Sequence, residues 1–194
     1  MAKNRLTSPC KAVVIGGSAG SIDVLMKLLP ALRPDLSFSL LIVLHRRHSG
    51  ESSLANLLSV KTVMPVREVE DKDPILPGQV YLAPADYHLL IEKNQYFSLD
   101  FSEKVNFSRP SLDVTFESAA DAWGPEMVGI LLSGANADGS DGLRAVKKAG
   151  GVIIAQKPET AQSAFMPQQA ILSTPIDHVF DVVEIAEYIN SINR

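Results

Sequence analysis

The chain has 194 residues, 46% of them hydrophobic and 21% charged, which suits one folded domain with a sizeable core. The formal net charge of -4 argues against a nucleic-acid binder, because phosphate contacts need a basic surface. No apolar run reaches the roughly 20 residues that cross a bilayer, and the N-terminus lacks a signal-peptide pattern. We therefore expect a cytoplasmic protein without membrane insertion.

Cys10 is the single cysteine, which excludes an intramolecular disulfide and indicates a reducing compartment. It lies at the end of a polar segment that we predict to be a flexible tail, residues 1–10. We interpret Cys10 as an unreactive thiol, and residues 11–194 as a single domain without a linker or an internal repeat.

Apolar strands alternate with amphipathic helices along most of the chain. The predicted strands with continuous apolar runs are residues 11–17, 39–45, 127–134 and 151–156. The predicted helices are residues 21–32, 52–60, 111–124, 143–150 and 182–192. Short alternating strands occupy residues 66–69, 79–83, 88–92 and 96–101, some of them antiparallel. The pattern predicts an α/β fold: a doubly wound, mainly parallel sheet with helices on both faces and a small antiparallel β excursion in the middle.

Residues 16–20 have the sequence Gly-Gly-Ser-Ala-Gly and lie between the first strand and the first helix. This spacing matches G-x-S-x-G, in which a sharp turn lifts the serine above the sheet and the following helix offers amide donors. A phosphate-binding loop or a serine that merely caps the helix explains the turn equally well. The turn alone does not choose among the three interpretations.

A nucleophilic serine needs a base, and the base needs an acid that orients it. His45 ends the second strand and Asp138 follows the third apolar strand, so both lie at the sheet edge where sites form in such folds. We expect Asp138 to accept a hydrogen bond from the Nδ1 atom of His45. His48 is a rival base, and Asp141 is a rival acid better placed to begin the next helix. These candidates on three strand ends favour Ser18 as a nucleophile.

Six ordered segments of the chain resemble the catalytic domain of the CheB family, the chemotaxis protein-glutamate methylesterases. They are VVIGGSAGS, IVLH, LPGQVYLAPADYHLLI, RPSLDVTFES, GILLSGANADGSDG and AFMPQQAI. The resemblance implies a catalytic triad of Ser18, His45 and Asp138 that hydrolyses glutamate γ-methyl esters and releases methanol. It also implies that no cofactor is needed, and that some members deamidate glutamine. The implied partners are the cytoplasmic helices of methylated chemoreceptors, or a related methylated protein.

The predicted oxyanion donors are the amides of Ala19 and of the Ser133–Ala135 region, with Gly134 and Ala135 in the wall of the site. The family usually has alanine at position 17, threonine at 19 and glycine at 21, where this chain has Gly17, Ala19 and Ser21. A methionine usual in the family's acid loop is replaced by Ala135.

Basic residues near the predicted site are candidates for contact with substrate. Arg46 and Arg47 follow the predicted base, and Arg109 precedes a proline and a serine that can open a helix. Solvent-exposed charges without a role are the alternative for the arginine pair. A receiver domain precedes the catalytic domain in typical family members, whereas here the first strand begins about ten residues in. Either this sequence is a piece of a longer protein, or the protein stands alone.

Two other functions remain open from the sequence. One is a non-catalytic binding module on the same scaffold, favoured by the altered acid loop. The other is a nucleotide-binding regulator that uses residues 16–20, although neither G-x-G-x-x-G nor a Gly-Lys-Ser/Thr motif is present. The four histidines and one cysteine lack metal-ligand spacing, so a metal site is not predicted.

Overall fold

The computed structural model describes residue 6, residues 8–46 and residues 53–194. The strands are β1 (Ala12–Gly17), β2 (Ser39–Leu44), β3 (Val66–Glu68), β4 (Val80–Leu82), β5 (His88–Ile91), β6 (Phe97–Asp100), β7 (Met127–Leu131), β8 (Val152–Gln156) and β9 (His178–Phe180). The α-helices are α1 (Ser21–Leu28), α2 (Ser53–Ser59), α3 (Leu112–Trp123), α4 (Ser140–Lys148), α5 (Phe165–Ser173) and α6 (Val182–Ser191).

Seven strands form one sheet in the order β3-β4-β2-β1-β7-β8-β9, and every pair in it is parallel. The chain runs from β1 to β2 and on to the edge strand β3, comes back to β4 between β2 and β3, and later crosses to the other side of β1 with β7. Ligands bind at the carboxyl ends of strands where the strand order reverses in this way. The β1, β2 and β7 ends are therefore where a site is expected.

Helices cover both faces of the sheet. Successive side chains of a strand point to opposite faces, so each strand contributes to two separate cores. Val13 and Ile15 of β1 belong to one core with Leu25 of α1, and Val14 belongs to the other core with Phe116 of α3. Both faces are therefore buried, which explains why these strands show little polar alternation. The doubly wound α/β fold predicted from the sequence is confirmed.

The antiparallel part of the fold is a hairpin of β5 and β6, in which His88 pairs with Asp100. It packs on α3, where the hydroxyl of Thr115 donates to the Leu89 carbonyl at 2.8 Å and the Ile91 amide donates to Ser118 Oγ at 3.1 Å. The hairpin places the segment that follows it, residues 101–111, next to the beginning of α3.

Several predicted boundaries differ from the structure. Helix α1 ends at Leu28 and continues as a 3₁₀ turn, Leu29–Ala31, because Pro30 has no N–H to extend the α-helical pattern. Helix α4 begins at Ser140, three residues before the predicted start. Helix α5 and strand β9 were not predicted. The buried residues of α5, Met166, Pro167 and Ala170, share one face, but the apolar residues Phe165 and Leu172 are exposed and obscure the helical pattern in the sequence.

Leu6 and Cys10, which lie in the predicted tail, are buried against the core. The Cys10 thiol donates to the Ala12 carbonyl at 3.4 Å, and burial raises its pKa to about 12. A thiol with so high a pKa is not a nucleophile at neutral pH. Residues 1–5 and 7 lie outside the described residues, so a flexible tail stays a prediction.

Candidate active site

Ser18 lies in the turn between β1 and α1, and its side chain is half-exposed. Its amide donates to the Ser133 carbonyl at 2.9 Å and to Ser21 Oγ at 3.1 Å. The Ser21 hydroxyl is buried and in turn donates to the same Ser133 carbonyl at 2.7 Å. These three bonds fasten the turn to the loop that follows β7.

Two glycines make the turn possible. Gly20 has a φ of 84°, a conformation that L side chains rarely adopt, and a Cβ built there would lie 2.6 Å from Gln162 Cβ. A Cβ built on Gly17 would lie 2.1 Å from Ser21 Oγ. Gly20, the second glycine of G-x-S-x-G, therefore leaves no room for a side chain, as that motif requires. Gly17 lies at a variable position of the motif, and the Ser21 side chain is what excludes a larger residue there.

His45 follows β2 and is brought beside Ser18 by strand register. Gly17 pairs with Leu44 in the parallel ladder, and the His45 amide donates to the Gly17 carbonyl at 3.2 Å. The next residues in register are Ser18 and His45. No hydrogen bond in the described part of the chain joins their side chains, and such bonds commonly tighten only when substrate binds.

The His45 ring contacts two residues of the loop after β7. Its Nε2 lies 2.6 Å from Asp138 Oδ2, and its Nδ1 lies 3.5 Å from the side-chain amide nitrogen of Asn136. The prediction that Nδ1 contacts Asp138 is therefore wrong. Because Nε2 is the ring nitrogen farther from the backbone, it reaches the fully buried carboxylate, and Nδ1 is left to accept a proton.

Asp138 is fully buried, and its carboxylate lies at the beginning of α3. Ser111, the residue that caps this helix, donates its hydroxyl at 2.9 Å. The first two helix amides, those of Leu112 and Asp113, donate at 2.7 and 3.2 Å. Unpaired amides at a helix N-terminus stabilise a negative charge, so α3 holds this carboxylate in its ionised form.

The pKa of Asp138 reflects two opposing effects. Burial alone would raise it, because the charged form loses its hydration. The hydrogen bonds donated by His45, Leu112 and Asn106 oppose burial, and the pKa is lowered to about 2. Asp138 is therefore ionised at neutral pH and can stabilise a protonated imidazole.

A second buried carboxyl group, Asp113, lies beside Asp138. Its Oδ1 accepts from the amides of Gly139 and Gly142 at 2.9 and 2.7 Å, so it caps the beginning of α4. Burial raises its pKa to about 7, and the neighbouring charge of Asp138 adds to this increase against the opposing bond from Gly142. Because Gly139 directly follows Asp138, this cap also fixes the position of the acid loop.

The amides of the loop after β7 are not equally available. Gly134 donates its amide to the Ser163 carbonyl at 3.0 Å, and Ser133 donates its own to Gln156 Oε1 at 2.9 Å. The prediction that these two amides hold an oxyanion is therefore wrong, because both are already paired. A Cβ on Gly134 would lie 2.5 Å from the Met166 side chain, so the loop packs closely against α5 at this point.

Two predicted donors remain near Ser18. Ala19 and Ala135 are exposed, and none of the hydrogen bonds within residues 8–46 and 53–194 uses either amide. Among the described residues, both amides are therefore available to donate to a bound molecule.

A cleft of about 570 Å³ opens beside His45. It is lined by His45, Arg46, Asp86, Lys104, Phe107, Ser108 and Arg109. Arg46 is paired with Glu68 at 2.5 Å and is not a free surface charge. Arg109 donates to the Ser102 carbonyl at 2.8 Å, with its guanidinium carbon 3.9 Å from the centre of the Phe101 ring.

Three candidate residues remain, Arg47, His48 and Asp141. Arg47 and His48 lie outside the described residues. Asp141 lies in the first turn of α4, where it pairs with Arg144 at 2.7 Å, as expected of a helix-starting acid.

Among the residues that the structure describes, no group of three or more histidine, cysteine, aspartate or glutamate side chains is arranged to hold a metal ion. None of the helices within the described ranges is long and apolar enough to cross a membrane.

A family model described as CheB methylesterase matches residues 13–189. The chain belongs to the CheB methylesterase family. It is 41% identical over 177 residues to a putative protein-glutamate methylesterase/protein-glutamine glutaminase of Leptospira interrogans, covering 91% of this chain and 92% of that protein. The crystal structure of the Thermotoga maritima CheB methylesterase catalytic domain matches with a TM-score of 0.90 and 33% identity, covering 95% of this chain and 100% of that one.

Longer CheB relatives match over part of their length. The protein-glutamate methylesterase/protein-glutamine glutaminase of Symbiobacterium thermophilum is 35% identical over 181 residues, covering 93% of this chain and 50% of that protein. This CheB chain therefore corresponds to the catalytic domain of such proteins, as the sequence analysis predicted.

Three residues of this CheB site were not predicted. Asn106 donates its side-chain amide to Asp113 at 2.7 Å and to Asp138 at 3.1 Å. His88 is buried, with Nδ1 accepting the Ser111 amide at 3.2 Å and Nε2 lying 2.9 Å from a main-chain carbonyl oxygen. Asp113 itself had one visible signal, since it lies two residues after a helix-capping serine. Asn106 and His88 lie far from Asp138 in the sequence, and no local pattern marked either of them as a site residue.

Proposed function

We propose that this chain hydrolyses γ-methyl esters of glutamate side chains in chemoreceptor proteins and releases methanol, using Ser18, His45 and Asp138. The observation that supports it most is the contact of 2.6 Å between His45 and the fully buried Asp138, with Ser18 next to His45 in strand register. Relatives that cover more than nine-tenths of this chain are named for this activity.

In the first half of the proposed reaction, Ser18 Oγ attacks the ester carbonyl carbon while His45 Nδ1 takes the hydroxyl proton. The amides of Ala19 and Ala135 stabilise the oxyanion, and each donor of this kind is typically worth about 3 kcal/mol. The protonated ring then gives its proton to the departing methoxide. Methanol leaves, and the glutamyl group remains on Ser18 as an ester.

In the second half, water attacks this ester and His45 again takes the proton. The tetrahedral intermediate collapses, the proton returns to Ser18 Oγ, and the free glutamate carboxyl is released. Asp138 stays ionised throughout, because its pKa of about 2 lies far below neutral pH. Its role is to hold the ring and to stabilise the imidazolium that forms in each half-reaction.

The substrate assignment follows from the family. We propose the cytoplasmic helices of methylated chemoreceptors, or a related methylated protein, as the partner, which places the reaction in the cytoplasm. Glutamine deamidation uses the same acyl intermediate with ammonia as the leaving group, so we propose it as a second activity. Arg46 and Arg109 line the cleft beside His45, and we propose that they contact the substrate protein.

The test is methanol release from methylated receptor membranes by the purified protein and by Ser18→Ala. We expect release by the wild type and loss of at least a thousandfold in the variant. Equal rates for the two proteins contradict Ser18 as nucleophile. Receptor binding without methanol release by the wild type indicates a non-catalytic binding module, and a thermal shift with nucleotides indicates a nucleotide-binding regulator.

A further inference from the structure

The segment that forms one wall of the cleft contains a tight turn, residues 105–108. Val105 and Ser108 exchange main-chain hydrogen bonds of 3.2 and 2.9 Å, and the two central residues, Asn106 and Phe107, have φ values of 50° and 61°. Two-residue turns with two positive φ values strongly favour Asn-Gly. Asn106 suits its position, whereas a bulky aromatic residue at positive φ is an outlier.

Asn106 has a structural reason to be in this turn, because its side chain donates to both Asp113 and Asp138. The turn is thereby held at a fixed position relative to the proposed catalytic acid. Phe107 has no such reason, since its side chain is 98% exposed. Neither backbone preference nor core packing accounts for it, and strained residues that the fold does not need are often functional.

The surface around Phe107 is apolar and cationic. Phe101 is 63% exposed, and its ring lies 5.4 Å from that of Tyr87, which is 39% exposed. Lys104 and Arg109 line the same cleft together with one carboxylate, Asp86. No ion pair in the described part of the chain involves either cation, although Arg109 donates to main-chain carbonyls. The chain as a whole has a net charge of -4, so this positive patch is local.

These features describe a docking surface for a protein. Exposed aromatic residues beside arginine are typical anchors of protein interfaces. The unpaired positive charges fit a partner with acidic side chains around the ester, since complementary charge steers association. The cleft also includes His45, so a partner bound here lies next to the proposed catalytic base.

We propose that Phe107 is an anchor that binds an acidic segment of the methylated substrate protein, with Lys104 and Arg109 supplying the complementary charge. This inference rests on the proposed function for the identity of the partner. It adds a residue that determines affinity for the protein substrate and takes no part in the chemical step.

The test uses Phe107→Gly, because glycine suits the positive φ and removes only the ring. We expect KM for methylated receptor to rise at least fivefold while the melting temperature stays the same or increases. Phe107→Tyr keeps an aromatic ring and should retain KM within twofold. Val63→Gly is the matched control: Val63 is 83% exposed and lines a different cleft with Leu29 and Pro30, so KM should not change.

Binding is measured separately so that the two proposals can fail independently. In a Ser18→Ala background, adding Phe107→Gly should raise the Kd for a methylated receptor cytoplasmic fragment at least fivefold. Unchanged Kd and KM overturn the docking proposal even if methanol release confirms the hydrolase. A fivefold loss of binding on adding Phe107→Gly, together with no methanol release by the wild type, supports docking and overturns the hydrolase.

Lipid is the competing occupant of an exposed aromatic and cationic surface. Sedimentation with vesicles of phosphatidylglycerol and phosphatidylcholine distinguishes the two. We expect no binding to receptor-free vesicles. Binding that Phe107→Gly abolishes would overturn the proposal in favour of a membrane surface.

Discussion

Gly17 and Ser21 share one space: a Cβ on Gly17 would lie 2.1 Å from the Ser21 hydroxyl oxygen. The resemblance to the family implies alanine at position 17 and glycine at position 21, so the larger residue lies at the other position in this chain. We therefore interpret the two departures as one compensated change. The serine also contributes hydrogen bonds to the Ser18 amide and to the Ser133 carbonyl.

Gly17→Ala alone should overpack the turn, costing about 2 kcal/mol of unfolding free energy and most of the activity. Adding Ser21→Gly should recover at least half of both losses, because it removes the clashing hydroxyl. Urea unfolding and methanol release of the two single variants and the double variant measure the coupling. Strictly additive effects would show that the two residues do not compete for space.

Asp138→Asn should lower kcat by about a thousandfold to ten-thousandfold, as loss of the orienting carboxylate does in related triads. An asparagine would also present an amide group to donors that now meet a carboxylate. Leaving buried donors unpaired should reduce stability by about 1–3 kcal/mol. Asp141→Asn is the control, because that exposed residue pairs only with Arg144 among the described residues, and its kcat should stay within twofold. If Asp141→Asn lowered kcat more than Asp138→Asn did, Asp141 would be the acid that orients His45.

Asp113 should make stability fall as pH rises. Its pKa of about 7 lies above its ordinary value of 3.8, so between these values the folded state binds more protons than the unfolded state. Relative to Asp113→Asn, the wild type should lose stability from pH 4 to pH 7 and then level off, by at most about 4 kcal/mol. Asp138 acts oppositely: its lowered pKa stabilises the fold above about pH 4, and this contribution is lost as pH falls towards 2.

Denaturant unfolding at several pH values measures the Asp113 effect. Asp121→Asn is a matched control on an exposed position of the same helix, and its pH dependence should follow the wild type. A flat difference between wild type and Asp113→Asn across this range would show that the carboxyl group titrates normally.

The neutral His45 ring should have its proton on Nε2, because that nitrogen contacts the ionised Asp138. Long-range ¹H–¹⁵N NMR distinguishes the two tautomers directly. A proton on Nδ1 at high pH would restore the ring orientation that the sequence analysis had assigned. Asp138→Asn should abolish the preference for Nε2, since the preference comes from that carboxylate.

The parts of the site that follow from strand ends could be predicted from the sequence. Ser18, His45 and Asp138 each follow an apolar strand, and the edge of a parallel sheet brings such positions together. The ring nitrogen that meets Asp138 could not be predicted, because it depends on how deeply the carboxylate is buried. The paired amide of Gly134 was missed for a similar reason, since Ser163 approaches it only in the folded chain.

The supporting residues depend on packing between distant segments. Asn106 and Asp138 are separated by 32 positions, and no local pattern marks an asparagine in a turn as a donor to a carboxylate far along the chain. His88 had appeared only within a family segment, and its bond to the Ser111 amide depends on how the β5–β6 hairpin docks on α3.

Two of the donors to Asp138 are main-chain amides, those of Leu112 and Asp113, and no replacement other than proline removes them. Any other point mutation at position 112 therefore keeps this donor to the acid. An insertion or deletion between positions 106 and 111 is different, because it shifts Asn106 relative to the helix start that Ser111 caps. The number of residues between Asn106 and Ser111 therefore matters more for the support of Asp138 than their identity. Natural variants of the protein should lack insertions and deletions between these two positions.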